Sequence, residues 1–274
     1  ATLVGLGFML ASFTSSLPYL YIAFGFVVGL GNGFGYATPI PVASKWFPDK
    51  RGLVVGLMVA GYGGGSAIFI PVGNALISGL GWRATFQILG VILFLMCMVG
   101  TWLLKNPPAG YRPEGWSPAA APTERTTRDI PTREMVGMPA FYALWLAYCL
   151  GTTAGLMTIS QLVPFAQSAG MAAGAAGLFG AIGSASGRIV SGWLSDVLGR
   201  LLTLRIMILV SAAAMPALVV WREEVVLFYL LVAAVYWCFG TQLSVFASTS
   251  ADFFGTKYLG LNYGLLFTAY GIAG

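Results

Sequence analysis

Arg188 is the residue whose type and position most invite a chemical reading. It lies inside the apolar stretch Ala172–Leu194, six residues before its end. At 1.5 Å per residue, that is roughly 9 Å in from the nearer rim of a bilayer-crossing helix. Helical side chains lean toward their helix N-terminus, which here lies on the far side, so the guanidinium aims at the membrane midplane. A charge at that depth costs about 2.5–3.5 kcal/mol on insertion scales. No Asp or Glu falls within the apolar stretches, and Asp252 stands at the end of one. A carboxylate ligand would supply the counter-charge and match the planar fork of the guanidinium. The alternative is that Arg188 snorkels to the rim or bonds helix-end carbonyls.

Other side chains narrow the chemistry. Tyr36, Tyr62, Tyr148, Tyr236 and Trp237 fall mid-stretch, where a buried polar tip wants a partner and could wall a site for a small planar anion; Gln161, Gln242 and Asn32 are weaker additions. The chain has no His, which removes His-dependent nucleophile systems, metal sites and proton shuttles. Cys97, Cys149 and Cys238 are scattered through apolar runs and suggest neither a disulfide framework nor a metal site. Gly31-Asn32-Gly33-Phe34-Gly35 lacks the spacing, the preceding strand and the downstream acid of a dinucleotide fingerprint. Catalysis has almost no equipment here, so an enzyme is not expected, and no cofactor or metal is implied. A net charge of +5, scattered as it is, is no nucleic-acid footprint.

The elements that must hold these residues are membrane helices. Only 8% of the 274 residues are charged and 58% are apolar, whereas a soluble domain carries roughly 25% charge. Seven stretches can cross a bilayer core of roughly 30 Å: about Leu17–Val42, Leu53–Ser78, Ala84–Leu104, Ala140–Phe165, Ala172–Leu194, Leu201–Trp221 and Val225–Ser250. Two more, Ala1–Phe13 and Leu259–Gly274, are shorter, and the chain reads as a fragment of a longer polytopic protein. With alternating spans, 11 of the 14 cations fall on one side, which the positive-inside rule assigns to the cytoplasm; Arg83 and Arg222 fall opposite. Residues 105–138 carry six prolines and nine of the 23 charges, as a solvated linker would. The expected organisation is therefore a bundle fragment over 1–104, a linker over 105–138 and a second bundle fragment over 139–274. Small residues at Gly25, Gly29 and Gly33, and at Gly183, Gly187 and Ser191, recur every fourth position, as helices that pack closely or slide require.

The chain also repeats. Trp46-Phe47-Pro48-Asp49-Lys50-Arg51-Gly52 aligns with Phe253-Phe254-Gly255-Thr256-Lys257-Tyr258-Leu259-Gly260 through one inserted residue, pairing Lys50 with Lys257, Gly52 with Gly260 and Gly56 with Gly264. Both copies follow a long span and enter the next from the same side, a parallel repeat of the kind found in transporters built from two six-helix halves.

Gly192-Trp193-Leu194-Ser195-Asp196-Val197-Leu198-Gly199-Arg200 resembles the G-x-x-x-D-x-x-G-R signature of the major facilitator superfamily. Gly31 to Tyr36, Lys45 to Gly52, Asn106 to Pro113 and Leu150 to Met157 resemble the oxalate/formate antiporter family. This resemblance implies an all-α fold of two pseudo-symmetric six-helix bundles, represented here from helix 3 to part of helix 11. It implies a secondary carrier that moves formate, oxalate or lactate- and pyruvate-type anions by alternating access, as an antiporter, with Arg188 as the carboxylate ligand. It further implies a conformational-switch loop of Gly192, Asp196, Gly199 and Arg200 with Asp49, Lys50 and Arg51. Members that carry oxalate are thought to add a lysine on helix 11; Leu261–Gly274 has none, Tyr270 stands among its polar residues, and a monocarboxylate is favoured. The expected partners are small carboxylates and the lipid bilayer, with protons as a candidate coupling ion and no nucleic acid. The expected form is a monomer in the inner or plasma membrane. A drug-efflux carrier of the same superfamily is the alternative, and it would call for a membrane-embedded acid.

Overall fold

In lipid the backbone must satisfy its own hydrogen bonds, so an open apolar chain has to become helical. In the computed structural model, which describes residues 1–108, 110, 111, 113 and 128–274 apart from the side chains of residues 66, 67 and 70, all regular elements are helices. Much of the expected linker, with Arg112 and Arg125, lies outside the described residues. The helices are α1 Thr2–Ser12, α2 Leu17–Leu20, a π-helical stretch Tyr21–Val28, α3 Gly29–Ala37, α4 Pro39–Trp46 and α5 Arg51–Leu103. After the linker come α6 Thr132–Met135, α7 Pro139–Ser168, α8 Ala173–Leu198, α9 Arg200–Val220, α10 Val225–Phe254 and α11 Leu259–Ala273.

Residues 17–46 run together as one apolar span. α5 is two helices joined at Gly81, whose φ of 80° and ψ of 164° suit glycine; the break falls between the expected spans Leu53–Ser78 and Ala84–Leu104. Five helical segments are long and apolar enough to cross a membrane: Leu17–Trp46, Pro71–Leu103, Pro139–Ser168, Arg200–Val220 and Val225–Phe254. The other two expected full-length spans, around residues 51–70 and in α8, are equally helical but rich in small residues. Their backbones meet other helices where larger side chains would meet lipid. Large apolar side chains stand outward elsewhere, with Leu209, Val220 and Val226 70–73% exposed. Such a surface suits lipid, and the protein is a multi-pass membrane protein.

The chain forms two compact units: residues 1–42 with 64–108, and residues 43–63 with 109–274. In the first, Phe8, Phe24 and Phe86 gather with ring centroids 5.4–5.6 Å apart. Gly31 meets the Val4 backbone closely, whereas a Cβ at Gly25, Gly29 or Gly33 would meet nothing within 4 Å. The packing glycine of α3 is thus Gly31, off the expected stripe.

In the second unit α10 is the axis, with residues 238–252 all buried. α8 lies against it backbone to backbone: a Cβ at Gly183 would strike the Ala233 carbonyl, and one at Gly187 the Trp237 carbonyl. This stripe packs as its spacing predicts. The last part of the linker docks through a few residues, while Arg128, Asp129, Arg133 and Glu134 stay exposed. Ile130 N–H donates to the Phe254 carbonyl (3.0 Å), Asn262 Nδ2 donates to the Ile130 carbonyl (3.0 Å), and Thr132 Oγ1 donates to Asn262 Oδ1 (2.6 Å). Met135 is fully buried. Prolines and charges dominate the linker's composition and mask the few apolar residues, Ile130 and Met135, that dock it.

Candidate functional site

Two polar constellations stand out in the second unit. The first joins the start of α5 to the ends of α8 and α10 and the beginning of α9. α8 continues to Leu198 and α10 to Phe254, so Asp196 and Asp252 lie inside helices rather than in loops. Gly199, at φ 92°, turns the chain from α8 into α9 and points Arg200 back at both acids. Arg200 Nε donates to Asp252 Oδ2 (2.8 Å), and Arg200 Nη2 pairs with Asp196 Oδ1 (2.6 Å). Arg200 Nη1 also reaches Ser195 Oγ, and Arg51 Nη1 pairs with Asp252 Oδ1.

Asp196 has a second task. Its Oδ1 accepts the Gly52 N–H and its Oδ2 the Leu53 N–H, each at 2.9 Å. These are amides at the start of α5 that the helix itself leaves unsatisfied, and the positive end of the helix dipole favours the carboxylate. The backbones approach closely here: a Cβ at Gly52 would strike the Gly192 carbonyl, and one at Gly192 the Gly52 carbonyl. Arg200 and Asp252 are each 2% exposed. Two arginines and two aspartates make a neutral group. Because desolvation offsets most of the Coulomb gain in such groups, it serves better as a specific tie than as a source of stability.

The second constellation surrounds Arg188, about two turns farther along α8. Its Nη1 donates to the Val59 carbonyl of α5 at 3.1 Å. Its side chain passes Gly240 of α10, where a Cβ would come within 3.2 Å of Cγ, and its guanidinium rests on Gly63 of α5, where a Cβ would overlap Nη1. On α11 the ring of Tyr270 is stacked on Phe267 at 5.0 Å. One turn toward the tie, Trp237 Nε1 donates to Ser191 Oγ (3.0 Å), and Thr241 Oγ1 lies 2.8 Å from the same oxygen. Arg188 is half-buried, and it meets a carbonyl in the middle of a helix rather than at a helix end.

The expected site residues divide accordingly. Arg188 bonds the Val59 carbonyl, Trp237 joins Ser191 one turn away, and Tyr270 stacks on Phe267. Tyr62, next to Gly63, is 47% exposed. Tyr236 packs its ring over Gly180 and belongs to the apolar cluster around Phe228 and Val232. Tyr148 does not line an open face: it is fully buried, stacked on Phe246 at 4.3 Å and 3.4 Å from the Tyr263 hydroxyl. Gln242 is likewise interior, donating to the Gly151 carbonyl at 2.9 Å, and Gln161 is exposed. Tyr36 and Asn32 belong to the first unit, the former half-buried and the latter exposed. Of the charged loop, Arg51, Asp196 and Arg200 meet, whereas Lys50 is exposed and Asp49 is half-buried. Asp252 and Ser195 complete the tie, although the sequence offered no role for them.

Relatives of known description match nearly the whole chain. It is 31% identical over 274 residues to the uncharacterized MFS-type transporter YhjX of Escherichia coli (strain K12), covering 98% of this chain and 66% of that protein. It is 29% identical over 269 residues to the oxalate:formate antiporter of Oxalobacter formigenes, covering 96% of this chain and 62% of the antiporter. It is also 30% identical over 197 residues to human monocarboxylate transporter 11, covering 71% of this chain and 40% of that protein. The chain thus spans a little under two thirds of the length of the first two. The model of the Major Facilitator Superfamily matches residues 1–274. The two-span signature at Gly192–Arg200, the all-helical architecture and this match agree: the chain belongs to the Major Facilitator Superfamily, a family of transport proteins rather than enzymes.

Proposed function

We propose that the protein containing this chain is a secondary transporter of small organic anions, of the formate, oxalate, lactate or pyruvate type, working by alternating access and exchange. The observation that carries this reading is the Arg188 guanidinium, held between the Val59 carbonyl, Gly63 and Gly240. A guanidinium carries five N–H donors in a planar fork, and a carboxylate can match two of them at once. Desolvation strengthens that encounter, and two parallel N–H bonds to one carboxylate give it direction. Similarity to the oxalate:formate antiporter and to monocarboxylate transporter 11 supports the same substrate class.

The tie of Arg51, Asp196, Arg200 and Asp252 acts as the gate at its end of the protein. It must part before the start of α5 can leave α8 and α10, so its strength biases which side is open. Its arginines lie on the cation-rich side, which the positive-inside rule assigns to the cytoplasm of an inner or plasma membrane. A carrier for cationic drugs has less support, since Asp196 and Asp252 already hold arginines.

The test is exchange in liposomes. The intact protein takes up labelled formate, lactate or oxalate against the same unlabelled anion. Arg188→Ala abolishes uptake while its thermal unfolding in detergent stays close to wild type. Wild-type uptake by Arg188→Ala overturns the assignment.

A further inference from the structure

We infer that Gly63 and the Val59 carbonyl form a seat that fixes the orientation of the Arg188 guanidinium, making Gly63 a positioning residue for substrate recognition; this rests on Arg188 being the substrate ligand. The argument begins in a run of glycines. Gly61, Gly63, Gly64 and Gly65 follow one another in α5, and by composition alone they are interchangeable small residues. The structure separates them. A Cβ at Gly61 or Gly64 would meet nothing within 4 Å, and one at Gly65 would make only ordinary contact with Phe69. A Cβ at Gly63 would coincide with Arg188 Nη1 and crowd Cζ and Nη2.

Helix geometry explains why the seat is there. Val59 and Gly63 are one turn apart, so the Val59 carbonyl points along the helix toward residue 63 and normally accepts its amide. A carbonyl oxygen has two lone pairs, and Arg188 Nη1 takes the other at 3.1 Å. The missing side chain at Gly63 lets the guanidinium lie on bare backbone to reach it. Gly56 repeats the device two turns down, where a Cβ would strike the Arg188 carbonyl, so α5 and α8 are in register along this whole contact. Gly240 does the same from α10, beside Arg188 Cγ. A long side chain with several rotatable bonds is thus held near its root by Gly240 and at its head by Gly63. Its remaining N–H groups keep one direction, as bidentate recognition of a single carboxylate requires. Lysine could not use the seat in this way, because its ammonium is a point donor without a plane.

The test compares Gly63→Ala with Gly61→Ala and Gly64→Ala, the same chemical change on the same helix. Exchange kinetics with labelled formate and lactate in liposomes, and thermal unfolding, are measured for each alone and combined with Arg188→Ala. Gly63→Ala raises the KM at least tenfold with a smaller change in maximal rate, while the two control variants stay within twofold of wild type. Gly63→Ala also lowers the unfolding temperature, and Arg188→Ala removes that loss because the colliding group is gone. If Gly63→Ala does not fold, recovery of folding in the double variant supports the seat and failure to recover overturns it. Gly63→Ala behaving like Gly61→Ala, or a stability loss that persists with Arg188→Ala, overturns it as well. Wild-type exchange by Arg188→Ala with the stability coupling intact sinks the substrate reading and leaves the seat standing.

Discussion

Asp196→Asn tests the gate most directly, because the structure states what each oxygen does. One carboxylate oxygen accepts the Gly52 N–H and the other the Leu53 N–H, both at 2.9 Å, and Arg200 pairs with the group at 2.6 Å. An asparagine keeps one oxygen. It can accept one of the two amides, but its NH2 then faces the other donor. The loss is one charge-assisted bond, worth about 1.5–3 kcal/mol, plus the interaction with the start of α5, worth about 0.3–1 kcal/mol. Arg200 keeps Asp252, so its charge is not stranded. The total, about 2–4 kcal/mol, corresponds to a factor of roughly 30–700 in the balance between joined and parted. Hydrogen–deuterium exchange of the peptide spanning residues 51–57 reads this balance at the amides concerned, with α7 as the internal reference. The expected result is acceleration by that factor at Gly52 and Leu53, with little change in α7. Exchange within threefold of wild type, in a protein that remains folded, refutes the reasoning. Equal acceleration in α7 refutes it too, since the cost would then fall on the whole fold.

Two further predictions concern the framework around the site. Gly187→Leu places a side chain against the Trp237 carbonyl, backbone that cannot rotate away, so α8 must leave α10; the variant should lose its monodisperse peak in detergent chromatography, whereas Gly177→Leu, at an open position, should keep it. Asn262→Ala removes the partner of both Ile130 O and Thr132 Oγ1, at a cost of about 1–3 kcal/mol, and should speed proteolysis within residues 128–138 while anion exchange stays within twofold of wild type.

The helices and the signature loop were legible because lipid makes span length and cation placement obligatory. Gly81 was legible as a boundary because only a residue tolerant of positive φ fits there. Asp252 was harder to see. It is 201 residues from Arg51, and no periodicity links them. A census of acids would have pointed to it: outside residues 105–138 the chain has only Asp49, Asp196, Glu223, Glu224 and Asp252, and Glu223 and Glu224 follow Arg222 between α9 and α10. The packing partners of Tyr148 and Gln242 were hidden for a different reason. A polar residue in the middle of an apolar span must find a partner, but the sequence does not tell whether that partner is cargo or a neighbouring helix. Tyr148 found Tyr263, and Gln242 found the Gly151 carbonyl.

The sequence repeat acquires a physical meaning at the two loops it aligns. Each loop leads into a helix, and each draws an aspartate onto its backbone amides from a distant part of the chain. In the first copy Asp196 of α8 takes the amides of Gly52 and Leu53. In the second, Asp129 at the end of the linker takes the Lys257 N–H at 3.0 Å, beside Gly255 at φ 81°. The two carboxylates differ in what they join. Asp196 binds a segment that precedes the linker to one that follows it, and Arg51 with Asp252 doubles that tie. Asp129 binds the linker's own end to the adjoining turn between α10 and α11. Breaking the first frees one repeat from the other, while breaking the second frees only the linker. Asp196→Asn should therefore change the exchange rate and the population of open states. Asp129→Asn should loosen the linker to proteases and leave both of those quantities where they were, and a shift in transport of the same size from both variants would mean that the linker is part of the gate.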